Sequence, residues 1–294
     1  MEENEADTLR RFLFEKMEIR GEIVHLDASW RAVLSRHNYP KPLQIILGEI
    51  IAAAVLLSAT IKLDGKLIIQ AQGDGKVKLV VVECSGDGTL RAMARYTDGI
   101  DETNLQNLLG NGRLVITIEP QEGSERYQGI VSLEGENIAA MLKNYLATSE
   151  QLDTELYLAA DGSCAAGMLL QKIPARGTEE DDDAWNRVIT LGSTVKSEEL
   201  LRLSASELIH RLFHEEDIRV FETEIYSFRC PCSKDRVTNA LKFLSYDEVK
   251  DILDEKKIIR VNCEFCNQRY EFDAVDAEQI FASGVSPDTH GSTH

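Results

Sequence analysis

Four of the six cysteines stand in two pairs, Cys230-Pro231-Cys232 and Cys263-Glu264-Phe265-Cys266, with thirty residues between them. Four thiols offered as two pairs from distant segments suit a tetrahedral zinc ion, with Zn–S roughly 2.3 Å. A C-x-x-C knuckle turns the chain so that both sulfurs face one point. C-x-C is rarer among zinc sites, which makes the combination more informative than two ordinary knuckles. The segment from Cys230 to about Ala282 has few large apolar groups, and a unit of that size needs such a staple to fold.

The same thiols are redox-capable. C-x-C brings two sulfurs close enough to oxidise to each other, and Arg229 and Lys234 flank the pair, where positive charge favours thiolate. Oxidation would give Cys230–Cys232 and Cys263–Cys266 disulfides and eject the metal, because disulfide sulfur binds zinc poorly. Structural zinc contributes an apparent ~10–16 kcal/mol in finger-like peptides, whereas a whole domain keeps only ~5–15 kcal/mol of net stability. Disulfides that close tiny loops restrict the unfolded chain little and do not replace the metal. Zinc loss is therefore expected to unfold the C-terminal unit and to loosen whatever packs against it, including Trp185 to Arg229.

Upstream, the pattern reads as α+β. The first clear element is a Leu-, Ile- and Ala-rich helix from Pro42 to Lys62, with proline suited to its first turn. Short apolar segments separated by glycine turns follow, from "KLIIQAQ" to "LRAMARY", then "GRLVITIEP" and "RYQGIVSLEG"; this is a meander pattern. "ENIAAMLKNYLATSE" reads as a helix with Ile138, Met141, Leu142 and Tyr145 on one face, and two more strands follow it. Residues 1–176 are thus expected to form an α+β domain with a largely antiparallel sheet. Pro174, Gly177 and the acids Glu179 to Asp183 mark a boundary, since such a run is ordinarily a solvated loop.

Residues 177–229 read as a partly helical, redox-sensitive linker with too few apolar residues for a core of its own, either packed on the first domain or held near its folding threshold and able to open. Ser204 and Glu207 form a capping box ahead of an apolar stripe, Leu208, Ile209, Leu212 and Phe213. That stripe is the candidate surface that such opening would uncover. Residues 230–282 read as a small zinc-binding domain. Ser233 caps a helix carrying Val237, Ala240, Leu241 and Leu244; Ser245 with Glu248 opens another; a hairpin follows with the second cysteine pair at its tip. Residues 283–294 are expected to be disordered. Cys84 and Cys164 read as packing residues.

Charge narrows the function. The formal net charge is −18, which disfavours anionic lipid and nucleic acid as partners. From Cys230 onward there are eight Lys plus Arg against twelve Asp plus Glu, which disfavours a zinc ribbon that grips phosphate. A thiol-disulfide oxidoreductase lacks its thioredoxin-like context. His25, His37, His210 and His214 have no evident nucleophile partner, so no enzyme is expected. The N-terminus "MEENEADTLR" lacks a secretory pattern, and the apolar run Ile50 to Ile61 is short for a bilayer. A reducing cytoplasm is expected, where clustered cysteines read as metal ligands or redox groups.

On these residues the chain resembles the redox-regulated holdase chaperones of the heat shock protein 33 family, the 33 kDa chaperonins. The four named cysteines at their spacing carry most of the resemblance, supported by "RLFHEEDIRVFE", "GEIVHLDASWRAVLSRHNYP" and "ILGEIIAAAVLLSATIK". The resemblance implies an ATP-independent chaperone whose reduced, zinc-bound form is inactive. It further implies that peroxide or hypochlorous acid under unfolding conditions forms two disulfides and releases zinc. The protein would then dimerise, hold unfolding clients on exposed apolar surface, and later pass them to ATP-driven foldases.

Overall fold

The structure, a computed structural model, describes residues 6–61, 64–121, 125–173 and 183–282. The expected boundary at residues 174–182 and the expected disordered tail at 283–294 lie outside them. The chain divides into two compact units, Met1–Arg229 and Cys230–His294.

In the first unit, β1 (Thr8–Phe14), β2 (Ile19–Leu26) and α1 (Ala28–Leu34) precede the long helix α2 (Lys41–Thr60). The sequence reading begins at this helix and misses the three elements before it. Thr8–Phe14 buries Leu9 on one side and Phe12 and Phe14 on the other, so no clean polar alternation marks it as a strand. Asp7 fixes this corner: its carboxylate accepts from the Ser29 amide at 2.9 Å and the Ser29 hydroxyl at 2.6 Å, which satisfies the start of α1 from outside the helix.

The meander follows as β3 (Gly65–Gln72), β4 (Val77–Ser85) and β5 (Thr89–Tyr96), then α3 (Leu105–Leu109), β6 (Arg113–Pro120) and β7 (Tyr127–Val131). Next come α4 (Ile138–Thr148), β8 (Thr154–Ala160) and β9 (Ala165–Lys172). In α4 the anticipated face of Ile138, Met141, Leu142 and Tyr145 is buried. Five further elements complete the unit: α5 (Ala184–Gly192), α6 (Ser197–Arg202), α7 (Ala205–Phe213), β10 (Ile218–Ile225) and β11 (Ser227–Phe228).

Two sheets result, ordered β10-β1-β2-β9-β8 and β11-β5-β4-β3-β6-β7. Their pairings are antiparallel apart from the two-residue join of β11 to β5. Helix α2 contacts strands β2, β8 and β9 of one sheet and β3, β4 and β5 of the other. Every residue from Ile50 to Thr60 is buried, so the helix is apolar on all faces because it is enclosed on all faces. At 20 residues it has the length and composition of a membrane span, longer than the apolar run alone indicates, yet it is a core helix. β9 is likewise covered on both faces, with Leu169 turned to α2 and Met168 and Leu170 turned away.

The outer face of the first sheet is covered by α5, α6 and α7. Their Val188, Leu200, Leu208, Leu212 and Phe213 form one cluster with Phe12, Phe14, Ile23, Met168 and Leu170 of the sheet. The stretch expected as a linker therefore supplies the lid of a core whose floor is the first domain. Its end straps the two sheets together. β10 pairs with β1, β11 pairs with β5, and between them Tyr226 is buried in the inter-sheet core with its amide bonded to the Asp7 carbonyl at 2.8 Å.

The second unit contains α8 (Lys234–Leu241), α9 (Tyr246–Lys256), the hairpin of β12 (Ile259–Asn262) and β13 (Arg269–Phe272), and α10 (Ala274–Ala282). Ser233 and Ser245 accept from the amides of Arg236 and Glu248, at 3.2 Å each, the cap geometry expected of these residues. The core is small: Leu241, Val249, Leu253, Ile259, Phe272, Ala277 and Ile280. Leu244 falls beyond α8 and is exposed, beside Phe243 at 92% exposure.

Candidate metal centre

The hairpin builds half of the site. Its last rung pairs Asn262 with Arg269. The Cys263 amide donates to the Gln268 carbonyl at 2.9 Å, and the Asn267 amide donates back to the Cys263 carbonyl at 2.8 Å. Asn267 takes a φ of 58°, a left-handed conformation that asparagine tolerates. This tight turn aims Cys263 and Cys266 at one point. Cys230 and Cys232 arrive on the segment that leads into the Ser233 cap of α8.

All four sulfurs lie within 4.8 Å of one another. Cys230 Sγ is 3.6 Å from Cys263 Sγ, and Cys232 Sγ is 3.3 Å from Cys266 Sγ. A tetrahedron of Zn–S bonds has edges of about 3.8 Å, so the separations match a shared four-coordinate ion. None of the four is in a disulfide, and each is partly buried. Burial, with the Cys232, Cys263 and Cys230 thiols beside it, raises the Cys266 thiol well above the ordinary range. Thiols this crowded cannot all ionise without a cation among them; a divalent ion supplies that charge and binds the thiolate form. Cys230, Cys232, Cys263 and Cys266 would hold it.

Tyr270, on β13, donates its hydroxyl to Cys232 Sγ at 3.2 Å, and this bond pushes the phenol up to about 12. Sequence reasoning missed this ligand-supporting residue; its place seven positions after Cys263 on the hairpin is the only signal for it. Lys234 departs from the expected role. Its ammonium sits 2.9 Å from Asp276 Oδ1 and 5.3 Å from the Phe272 ring centre, so its charge is shared with a carboxylate.

The other singled-out residues lie in the first unit. Leu208, Ile209, Leu212 and Phe213 are 0%, 7%, 4% and 1% exposed; in this form they are lid, not surface. The Phe213 ring meets Phe14 edge-on at 5.2 Å. Cys84 is buried, with its thiol pushed up to about 11 by burial and 3.2 Å from Ser58 Oγ. Cys164 is also buried, but it has a partner that the sequence does not reveal: its sulfur is 3.0 Å from His25 Nε2.

The α+β frame and the four-thiol centre together define a two-unit protein with a C-terminal module whose cysteines could hold a metal ion. The family model described as "Hsp33 protein" matches residues 7–273. A 33 kDa chaperonin of Methylobacillus flagellatus is 49% identical over 281 residues, covering 95% of this chain and 96% of that protein. One from Nitrosococcus oceani is 47% identical over 291 residues, covering 99% of this chain and 100% of its own length. The crystal structure of the 33 kDa chaperonin (heat shock protein 33 homolog) of Thermotoga maritima superposes with a TM-score of 0.82 at 20% identity, covering 95% of this chain and 99% of that one; it attests the fold. The chain belongs to the Hsp33 family of chaperones.

Proposed function

We propose that this protein is a redox-regulated, ATP-independent holdase chaperone. In the reduced form one zinc ion on Cys230, Cys232, Cys263 and Cys266 keeps the second unit folded and the first unit closed. Oxidant, acting with unfolding conditions, forms Cys230–Cys232 and Cys263–Cys266 disulfides and releases zinc. The second unit then unfolds, and residues 177–229 peel from the first.

The observation that carries this reading is the pairing of two features in one chain. Four thiols converge on one point, and the segment that ends at Arg229, one residue before the first of them, is the lid over an apolar sheet face. Seven buried residues among those described are a thin core for the second unit, and a structural zinc site outweighs what a core of that size provides. Removing the lid exposes Phe12, Phe14, Ile23, Met168 and Leu170 on the sheet, and Leu208, Ile209, Leu212 and Phe213 on the lid. Large contiguous apolar surface of this kind binds unfolded polypeptide.

The released form associates as a homodimer, works in the cytoplasm under oxidative stress and passes clients to ATP-dependent foldases. The test is light scattering from a thermally unfolding client, with zinc release followed by a chelating dye. Zinc-loaded reduced protein is expected to leave aggregation unchanged, and peroxide-and-heat-treated protein to suppress it in step with zinc release. Equal suppression by both forms contradicts the switch.

A further inference from the structure

The pair Cys164 and His25 is not used by the switch. Cys164 sits at the turn before β9, 3% exposed, inside the cluster that α6 and α7 cover. Its amide donates to Asp161 Oδ1 at 2.8 Å. His25, on β2, reaches over with Nε2 3.0 Å from the Cys164 sulfur. The same Nε2 is 2.9 Å from the Leu201 carbonyl oxygen of α6.

The carbonyl decides the chemistry of the pair. A carbonyl oxygen only accepts, so Nε2 must carry its proton to make that bond. An imidazole nitrogen occupied in this way cannot take the proton of a thiol. The thiol itself is pushed up to about 12, by burial first and then by the Asp161 and Asp27 carboxylates. In the closed form Cys164 is inert.

The lock is made by the lid. Leu201 is in α6, and two more α6 contacts close the same corner: Leu200 packs in the cluster with Cys164, and Arg202 holds Asp161 Oδ2 at 2.9 Å. When α6 leaves, the carbonyl leaves with it, the imidazole proton is free to move to Nδ1, and Nε2 becomes a base beside a thiol that water now reaches. Arg202 departs as well, and the imidazolium formed at His25 then stands against Cys164.

We infer that Cys164 is a latent peroxide-reactive thiol, locked by the Leu201 carbonyl through His25 and armed when α6 is displaced. The inference rests on the lid opening described under the proposed function. The step balances as follows. The Sγ proton passes to His25 Nε2, and the thiolate electron pair attacks one oxygen of hydrogen peroxide. The O–O bond breaks, and the departing hydroxide takes the proton from Nε2 as water. Sulfur is oxidised by two electrons to a sulfenic acid, peroxide is reduced, and the imidazole is neutral again.

The experiment uses the full-length, zinc-loaded chain treated with hydrogen peroxide at a mildly unfolding temperature in the presence of dimedone, which traps sulfenic acid, with labelling at Cys164 read by peptide mass spectrometry. Hydrogen exchange over residues 197–213 is recorded in parallel, so that lid opening is measured independently of labelling. A Leu208→Asp chain, which loosens the lid with the switch cysteines intact, is treated identically, and Cys164→Ser identifies the label. Labelling of Cys164 is expected to be at background in the closed chain and to rise at least about tenfold when residues 197–213 exchange. His25→Asn is expected to open equally and to label at least about a hundredfold more slowly, as loss of an adjacent base does. Exchange without labelling at Cys164, or equal labelling rates with and without His25, overturns the inference. Protection of residues 197–213 under full oxidation, with labelling in the Leu208→Asp chain, instead faults the switch and leaves the lock standing.

Discussion

Cys232 and Cys266 place their sulfurs 3.3 Å apart across 34 positions of sequence, and Cys230 and Cys263 likewise meet across the two pairs at 3.6 Å. In the reduced centre, then, these close neighbours belong to different motifs. The two possible pairings have opposite consequences. Cross-motif disulfides would close loops of more than thirty residues and staple the unit by about 3–4 kcal/mol. Within-motif disulfides close loops too small to do so. An unfolding switch requires the second. Peptide mapping after peroxide and mild heat is expected to find Cys230–Cys232 and Cys263–Cys266, and dominant Cys232–Cys266 linkage would sink the switch.

Removing the metal should act like oxidation on structure. A chelator under reducing conditions is expected to abolish protection of residues 230–282 against protease, while β1 to β9 stay intact. Zinc binding displaces thiol protons, so apparent affinity is expected to fall steadily as pH drops from 8 to 6. Competition with a chelator of known affinity measures this, and pH-independent binding would exclude a thiolate centre.

Phe213 completes a triangle of rings with Phe12 and Phe14, its centre 6.1 Å and 5.2 Å from theirs, which are 5.7 Å apart. Phe213→Ala removes the lid's corner of that stack and should cost about 3–5 kcal/mol in lid packing. The reduced, zinc-loaded variant is expected to show faster hydrogen exchange in residues 184–213 and to suppress client aggregation with less oxidant. Unchanged exchange would show that the stack does not hold the lid.

Glu22 makes the first unit sensitive to pH. It is 1% exposed on β2, accepts from Thr60 Oγ1 at 3.0 Å, and has no hydrogen-bond partner for Oε1. Burial raises its carboxyl to about 7, against the lowering pull of Arg20 and Arg11. Glu49, on α2, is also raised to about 7 by burial. Because the folded-state values lie above the unfolded ones, the stabilising contribution is complete below the unfolded range and is lost as pH rises through about 7. For Glu22 alone this loss is on the order of 3 kcal/mol. Urea midpoints of the first unit are expected to fall from about pH 5 to about pH 7, and Glu22→Gln to flatten that fall. A midpoint that rises over this interval would contradict the assignment.

How much could be read without the structure follows from what each signal depends on. The cysteine pairs, the Ser204–Glu207 and Ser245–Glu248 boxes, the α4 face and the β3–β5 meander are local patterns. Their cause lies within a few residues, and local spacing suffices to see it. β1 and β2 were hidden because both faces of Thr8–Phe14 carry apolar groups, which only the presence of α2 on one side and α7 on the other explains. Residues 177–229 read as a linker because their own apolar content is low; what completes the core of their described part, from 183 on, is Phe12, Phe14 and Met168, more than a hundred and fifty positions away for the first two.

By itself, the sequence determined the donor set for a metal, the helices and hairpin that present it, the acidic surface and the α+β class, since these follow from composition, spacing and short-range backbone preference. Only the tertiary structure decided that α2 is a core rod between two sheets, that the stretch before Cys230 is a lid and a strap, and that Cys164 lies beside His25. Those facts depend on which distant surfaces exclude water from one another, and burial of that kind is a property of the folded arrangement rather than of any segment in it.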